Sequence, residues 1–142
     1  MASKREEEKE VFGFTGLRVW SQIFPVVLDL EAVLKDKTEN PQAQRCLACA
    51  NSSLEHLVIG YYQFHLAEKY LTYNQAREQA SVTLFLIYCL GFAGKLEKEK
   101  VLEFGQRLQE SIKMINSLIK NFENKVKRMD EAKIILEKII RG

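Results

Sequence analysis

ASVTLFLIYCL, residues 80–90, decides how this chain folds. The run is apolar on nearly every side, so by itself it fits either a buried strand or a buried helix. The segments on both sides carry apolar residues at three- and four-residue spacing, and no hairpin signal interrupts them. The run therefore reads as the interior of a helix that ends at Gly91 or Gly94 in GFAGK. A helix without a polar face is buried on more than one side. In a domain this small, that predicts a subunit interface as well as a core, with Leu84, Phe85, Ile87 and Tyr88 at the interface.

The rest of the composition agrees with long helices. The chain has 142 residues, enough for one domain with a real core, and only two prolines and seven glycines. It is 46% hydrophobic and 28% charged, the balance of a water-soluble globular protein. No apolar run is long enough to span a membrane. The opening MASKREEEKE is charged and lacks the apolar centre of a secretory signal. Three cysteines are too few for a disulfide framework, and they read as reduced thiols in a cytoplasm.

Outward from the greasy run, the pattern divides into segments. Residues 1–12 offer little to bury and are expected to be frayed or disordered. Leu17, Trp20, Phe24, Val27, Leu30 and Leu34 form one helical face, interrupted by Pro25, which removes a bond to the Ser21 carbonyl and predicts a kink. In ENPQ, Asn40 suits an N-cap and Pro41 the first helical position. The helix that follows is expected to reach Phe64 or His65, with Ala43, Cys46, Leu47, Ala50, Leu54, Leu57, Tyr61 and Phe64 inward. A short join near Leu66–Lys69 leads to the helix containing the greasy run. From about Leu96 a last apolar rhythm runs through Phe104, Leu108, Ile112, Ile115 and Phe122, then resumes to Ile140. It either overshoots the bundle or breaks near Asn124. The fold class expected is all-α: an up-down-up-down four-helix bundle over 13–122 with a C-terminal helical extension, 123–142.

Few residues resemble chemistry. Cys46 and Cys49 form a CxxC, but inside a helix, not at the strand–helix junction where such thiols are activated. His56 lies ten residues from Cys46, about 15 Å along a helix, too far to share a zinc. The cysteines, alanines and serines of RCLACANSS are small, and the reading preferred is close helix packing. His56 and His65 read as structural. No P-loop or dinucleotide fingerprint is present. Neither an enzyme nor a cofactor or metal is expected. Tyr61, Tyr62, Tyr70 and Tyr73, interleaved with Lys69 and Arg77, could stack on nucleic acid, but their helical spacing favours packing at the end of the bundle.

Several short stretches resemble the four-helix-bundle proteins encoded in intervening sequences of 23S rRNA genes. The family's L-x-V-W appears as Leu17, Val19 and Trp20. Its segment from G-Y to G-x-L is similar to Gly60–Leu96, and its closing K-M-L-x-x-L-I-K is similar to Lys113–Lys120. The chain departs from the family where Leu47 and Ala48 replace a pair of arginines, His56 an asparagine and Ile59 a glutamate. Those apolar replacements bring it nearer the related accessory proteins of diversity-generating retroelements. The resemblance implies a homo-oligomer, a ring of five, without catalysis. It also implies RNA or DNA binding, or work beside a reverse transcriptase.

Bulk charge alone argues little, since 21 basic residues face 19 acidic ones for a net +2. A ring would multiply that charge and let weak contacts add by avidity. The phosphate contacts expected are Arg18, Arg45, Lys69, Arg77, Lys113, Lys120, Lys125, Lys127 and Arg128. A rival expectation is a protein-interaction scaffold. In it the C-terminal segment, with Ile134, Ile135, Leu136, Ile139 and Ile140, docks a partner or a neighbouring subunit as a helix in a groove.

Overall fold

A computed structural model describes residues 3–141, and no strand occurs among them. Five helices follow in order: α1 (Lys4–Val11), α2 (Arg18–Leu34), α3 (Pro41–Tyr62), α4 (Leu66–Phe92) and α5 (Lys98–Arg141). The principal contacts pair α2 with α3, α3 with α4, α4 with α5, and α5 with α2. The core between them is aliphatic, centred on Ile23, Leu30, Leu57, Leu86, Leu90, Leu108 and Ile115, each essentially without solvent exposure.

Local chemistry sets most helix ends. The Asn40 side chain accepts the Gln42 and Ala43 N–H groups at 2.9 and 3.2 Å, and Pro41 takes the first position, where its missing donor costs nothing. At the other end of α4, Gly94 adopts φ +73°, and the Lys95 N–H reaches back to the Leu90 carbonyl at 2.8 Å. The Gly94 N–H bonds the Gly91 carbonyl at 3.1 Å, completing a Schellman cap that only a glycine enters without strain. α2 continues through Pro25, which is exposed, as is Ser21, so the freed Ser21 carbonyl is open to water.

Three sequence-based expectations need correction. Within 1–12, Lys4–Val11 is a helix rather than a frayed end (residues 1 and 2 lie outside the described range). The Ser3 hydroxyl accepts the Glu6 N–H while the Glu6 carboxylate accepts the Ser3 N–H, both at 3.2 Å. This capping box satisfies two orphan donors locally, so the turn forms although nothing in it is buried. The join between α3 and α4 is Gln63–His65, and Leu66–Lys69 is already the first turn of α4. Phe64, falling in that join, points away from the core and is 89% exposed. Of the two outcomes left open for the last rhythm, overshoot holds and a break near Asn124 does not. α5 runs unbroken for 44 residues, about 66 Å at the α-helical rise, and every residue from Lys127 to Arg141 is exposed.

Aromatic contacts tie the N-terminal segment down. Phe14 meets Trp20 edge-on at 4.8 Å, Trp20 stacks on Phe24 at 4.9 Å, and Phe14 also approaches Tyr62 at 6.4 Å. Of the clustered tyrosines, Tyr73 is buried and stacks on Phe122 of α5 at 5.5 Å. Its ring lies over Gly60 of α3, where a Cβ would come within 2.7 Å of it.

Candidate nucleic-acid and assembly surfaces

The basic residues expected to meet phosphate separate into a band, a C-terminal run on α5 and two isolated residues, Arg45 and Lys69. Lys113, Lys120 and Lys127 recur at seven-residue intervals on α5, on the side opposite its buried stripe of Phe104, Leu108, Ile115 and Ile119. Arg18, at the start of α2, borders a cleft shared with Ser117 and Asn121 of α5. Arg77, on α4, donates to the Asn116 side chain of α5 at 3.4 Å. Arg18 and Arg77 thus flank the Lys113–Lys120 row from opposite sides, making a basic band across three helices. Two carboxylates lie near the band: Glu110 accepts from the neutral Gln22 amide at 3.2 Å and keeps its charge, and Glu123 pairs with Lys127 at 3.3 Å, offsetting that lysine.

Lys125, Lys127 and Arg128 carry positive charge from this band onto the exposed length of α5, with the Lys125 ammonium 5.2 Å from the centre of the Phe122 ring. Arg45 is exposed but sits in the first turns of α3, at the end remote from Gly60, and does not join the band.

Lys69 is not a free phosphate contact. Its ammonium donates to the Gly60 and Tyr61 carbonyls at 2.8 and 2.7 Å and lies 5.9 Å from the Tyr61 ring centre. It caps the carboxyl end of α3, where unpaired carbonyls and the helix dipole favour a cation. Desolvation there holds its pKa below the usual lysine value. The absence of any basic residue in the last turn of α3 was the one sequence signal of this role.

The greasy run divides cleanly between core and surface. Thr83, Leu86, Ile87 and Leu90 are buried within the chain, whereas Phe85 is 57% and Tyr88 65% exposed. Ile87 therefore belongs to the core and is withdrawn from the expected interface. At 3.6 residues per turn, 83, 86, 87 and 90 share one side and 85, 88 and 92 another. Phe85 and Tyr88 line a groove of about 480 Å³ with half-buried Leu84 and with Leu102 of α5. Phe92, 87% exposed, and Leu102 extend the apolar face, and neither stood out in the sequence.

Cys46 is fully buried, with its sulfur 3.9 Å from the Thr83 carbonyl. Burial, reinforced by neighbouring Cys49, pushes its pKa up to about 12. A thiol so far from ionisation is a packing element, not a nucleophile. Iodoacetamide at neutral pH is therefore expected to modify half-exposed Cys49 and Cys89 in the native protein while leaving Cys46 unmodified until unfolding, as read by mass spectrometry. His56 contacts the backbone carbonyl of Ser52 through Nδ1 at 2.7 Å and lies 3.2 Å from its hydroxyl. The nearer carbonyl can only accept, so Nδ1 carries the proton and is no base for the serine. No group of three or more His, Cys, Asp or Glu able to hold a metal occurs among the described residues.

Compared with known proteins, the chain matches no family model, no curated protein and no solved structure. No described helix is long and apolar enough to cross a membrane.

Proposed function

We propose that this protein is a non-catalytic, homo-oligomeric helical bundle of up-down-up-down topology that binds RNA. The topology is supported by the short joins and by the closed cycle of contacts among α2, α3, α4 and α5. Self-assembly is supported by the exposed face of Phe85, Tyr88, Phe92 and Leu102, since an apolar patch of this kind marks an interaction site. RNA binding rests on one observation: the basic band of Arg18, Lys113, Lys120 and Arg77 across α2, α5 and α4.

The test is titration of a single-stranded RNA probe against salt. Four phosphate contacts per chain predict a slope of log K on log salt near −3, at roughly −0.7 per phosphate neutralised. Lys113→Gln with Lys120→Gln is expected to make the slope shallower by about 1.4. Absence of binding at low salt by the assembled protein would end the RNA reading.

A second reading, the interaction scaffold, has its own observation. Met129, Leu136, Ile139 and Ile140 stand more than half exposed on the part of α5 that leaves the bundle. Under it, truncation after Phe122 abolishes assembly or partner binding while the bundle stays folded.

A further inference from the structure

The end of the bundle from which α5 emerges gathers aromatic rings that the fold leaves uncovered. The turn Gly13–Gly16 lies across this end, its first glycine against Tyr61 of α3, where a Cβ would come within 2.9 Å of the hydroxyl. Phe14 in that turn approaches Tyr62 at 6.4 Å, and Tyr61 meets the same ring edge-on at 4.9 Å. These contacts fix the Tyr62 ring and still leave it 60% exposed. Two residues on, in the join to α4, Phe64 stands in solvent with His65 edge-on to it at 5.3 Å. Packing within the single chain accounts for neither ring's exposed surface.

Positive charge borders the same end. Leu17 and Arg18, directly after the turn, line the cleft with Ser117 and Asn121 of α5. Steps of four and three from Asn121 lead to Lys125 and Arg128 on that side of α5, both exposed. At about 100° per residue, Glu123 and Asp130 fall on the opposite side of the helix. Exposed Glu68, in the first turn of α4, and Glu131, three residues past Arg128, also flank this end. α1, lying beside Trp20 and Phe24, sets Glu6, Glu7, Glu8 and Glu10 against Lys4, Arg5 and Lys9. Net charge here is therefore modest, and phosphate attraction needs a second source of affinity.

We propose that this end of the bundle takes an unpaired stretch of RNA, its bases stacked on Tyr62 and Phe64 and its backbone held at Arg18. The inference rests on the RNA reading above and names the class of RNA bound. Every base has a flat π-face, so stacking on these rings asks for no particular sequence. A duplex keeps its base faces inside the stack, and only unpaired bases can reach the rings. Tyr62, already held by two edge-on neighbours, loses little freedom when a base arrives. Lys125 and Arg128 supply the positive flank that favours a strand of phosphates over an uncharged partner.

The test binds one short RNA to the full-length chain, first as a single strand and then annealed to its complement. The single strand is expected to bind more tightly. Tyr62→Ala and Phe64→Ala are each expected to weaken it about fivefold or more, the low end of base–aromatic stacking, and to leave duplex binding unchanged. The slope of log K on log salt stays the same, because no charge is removed. Tyr62→Phe keeps the ring and is expected to keep the affinity, whereas Tyr62→Leu loses it. Phe64 lies outside the helices and in solvent, so its variant reads the proposal even where Tyr62→Ala disturbs the fold. A duplex bound as tightly as the single strand, or no selective loss from the variants, overturns the stacking and leaves the RNA reading standing. Variants that lower the mass in light scattering while RNA affinity holds show the rings meeting another copy, which also overturns it. No binding of either probe at low salt overturns both readings.

Discussion

Replacing Tyr73 by alanine is expected to destabilise the fold by about 3–5 kcal/mol, the cost of removing a buried aromatic ring. The size follows from what the ring joins. It sits in α4, stacks on Phe122 of α5 at 5.5 Å, and covers Gly60 of α3 so closely that a methyl there would lie within 2.7 Å. Three helices meet through this one side chain, which is 1% exposed. Gly60→Ala is the complementary test. In the unaltered chain it forces the ring to shift and is expected to cost about 1–3 kcal/mol, as overpacking does. In the Tyr73→Ala background the obstruction is gone, and the same change is expected to reverse sign, gaining up to about 1 kcal/mol from the better helix propensity of alanine. Urea unfolding with an unchanged m-value reads both effects. Additive costs would show that the two residues are not in contact in solution.

The second large effect separates assembly from folding within one turn of α4. Phe85→Asp with Tyr88→Asp is expected to reduce the protein to a smaller species in light scattering while its helicity is retained, because both side chains are more than half exposed in the single chain. Ile87→Asp is expected to do the reverse. It buries an unpaired carboxylate in a site 1% exposed, and a loss above about 4 kcal/mol belongs to that class of substitution. If the Phe85 and Tyr88 changes leave the mass untouched, the α4 face is not the contact between copies.

Features set by a few neighbouring residues were legible in the order of amino acids alone. The cap at Asn40 and Pro41, a stop within GFAGK and the three–four rhythm of each helix depend on interactions between residues close in the chain, so local pattern suffices to place them. The N-terminal helix obeyed the same logic, but its signal was the Ser3–Glu6 box and not burial, and a reading based on burial missed it. The periodicity of the last segment left two outcomes open at Asn124, and the structure carries α5 through without a break.

What packing decided lay outside that reach. The greasy run announced that it needed cover, but only the positions of α3 and α5 around it determined that Ile87 turns inward and Phe85 outward. Lys69 looked like one more surface cation until the end of α3 came to rest beside it, and Phe64 looked like a core residue until the helix ended two residues earlier. Periodicity specifies which residues share a side of a helix. Which side meets protein, and which is left for water, RNA or another copy, depends on contacts between residues far apart in the chain, and these exist only once the helices have docked.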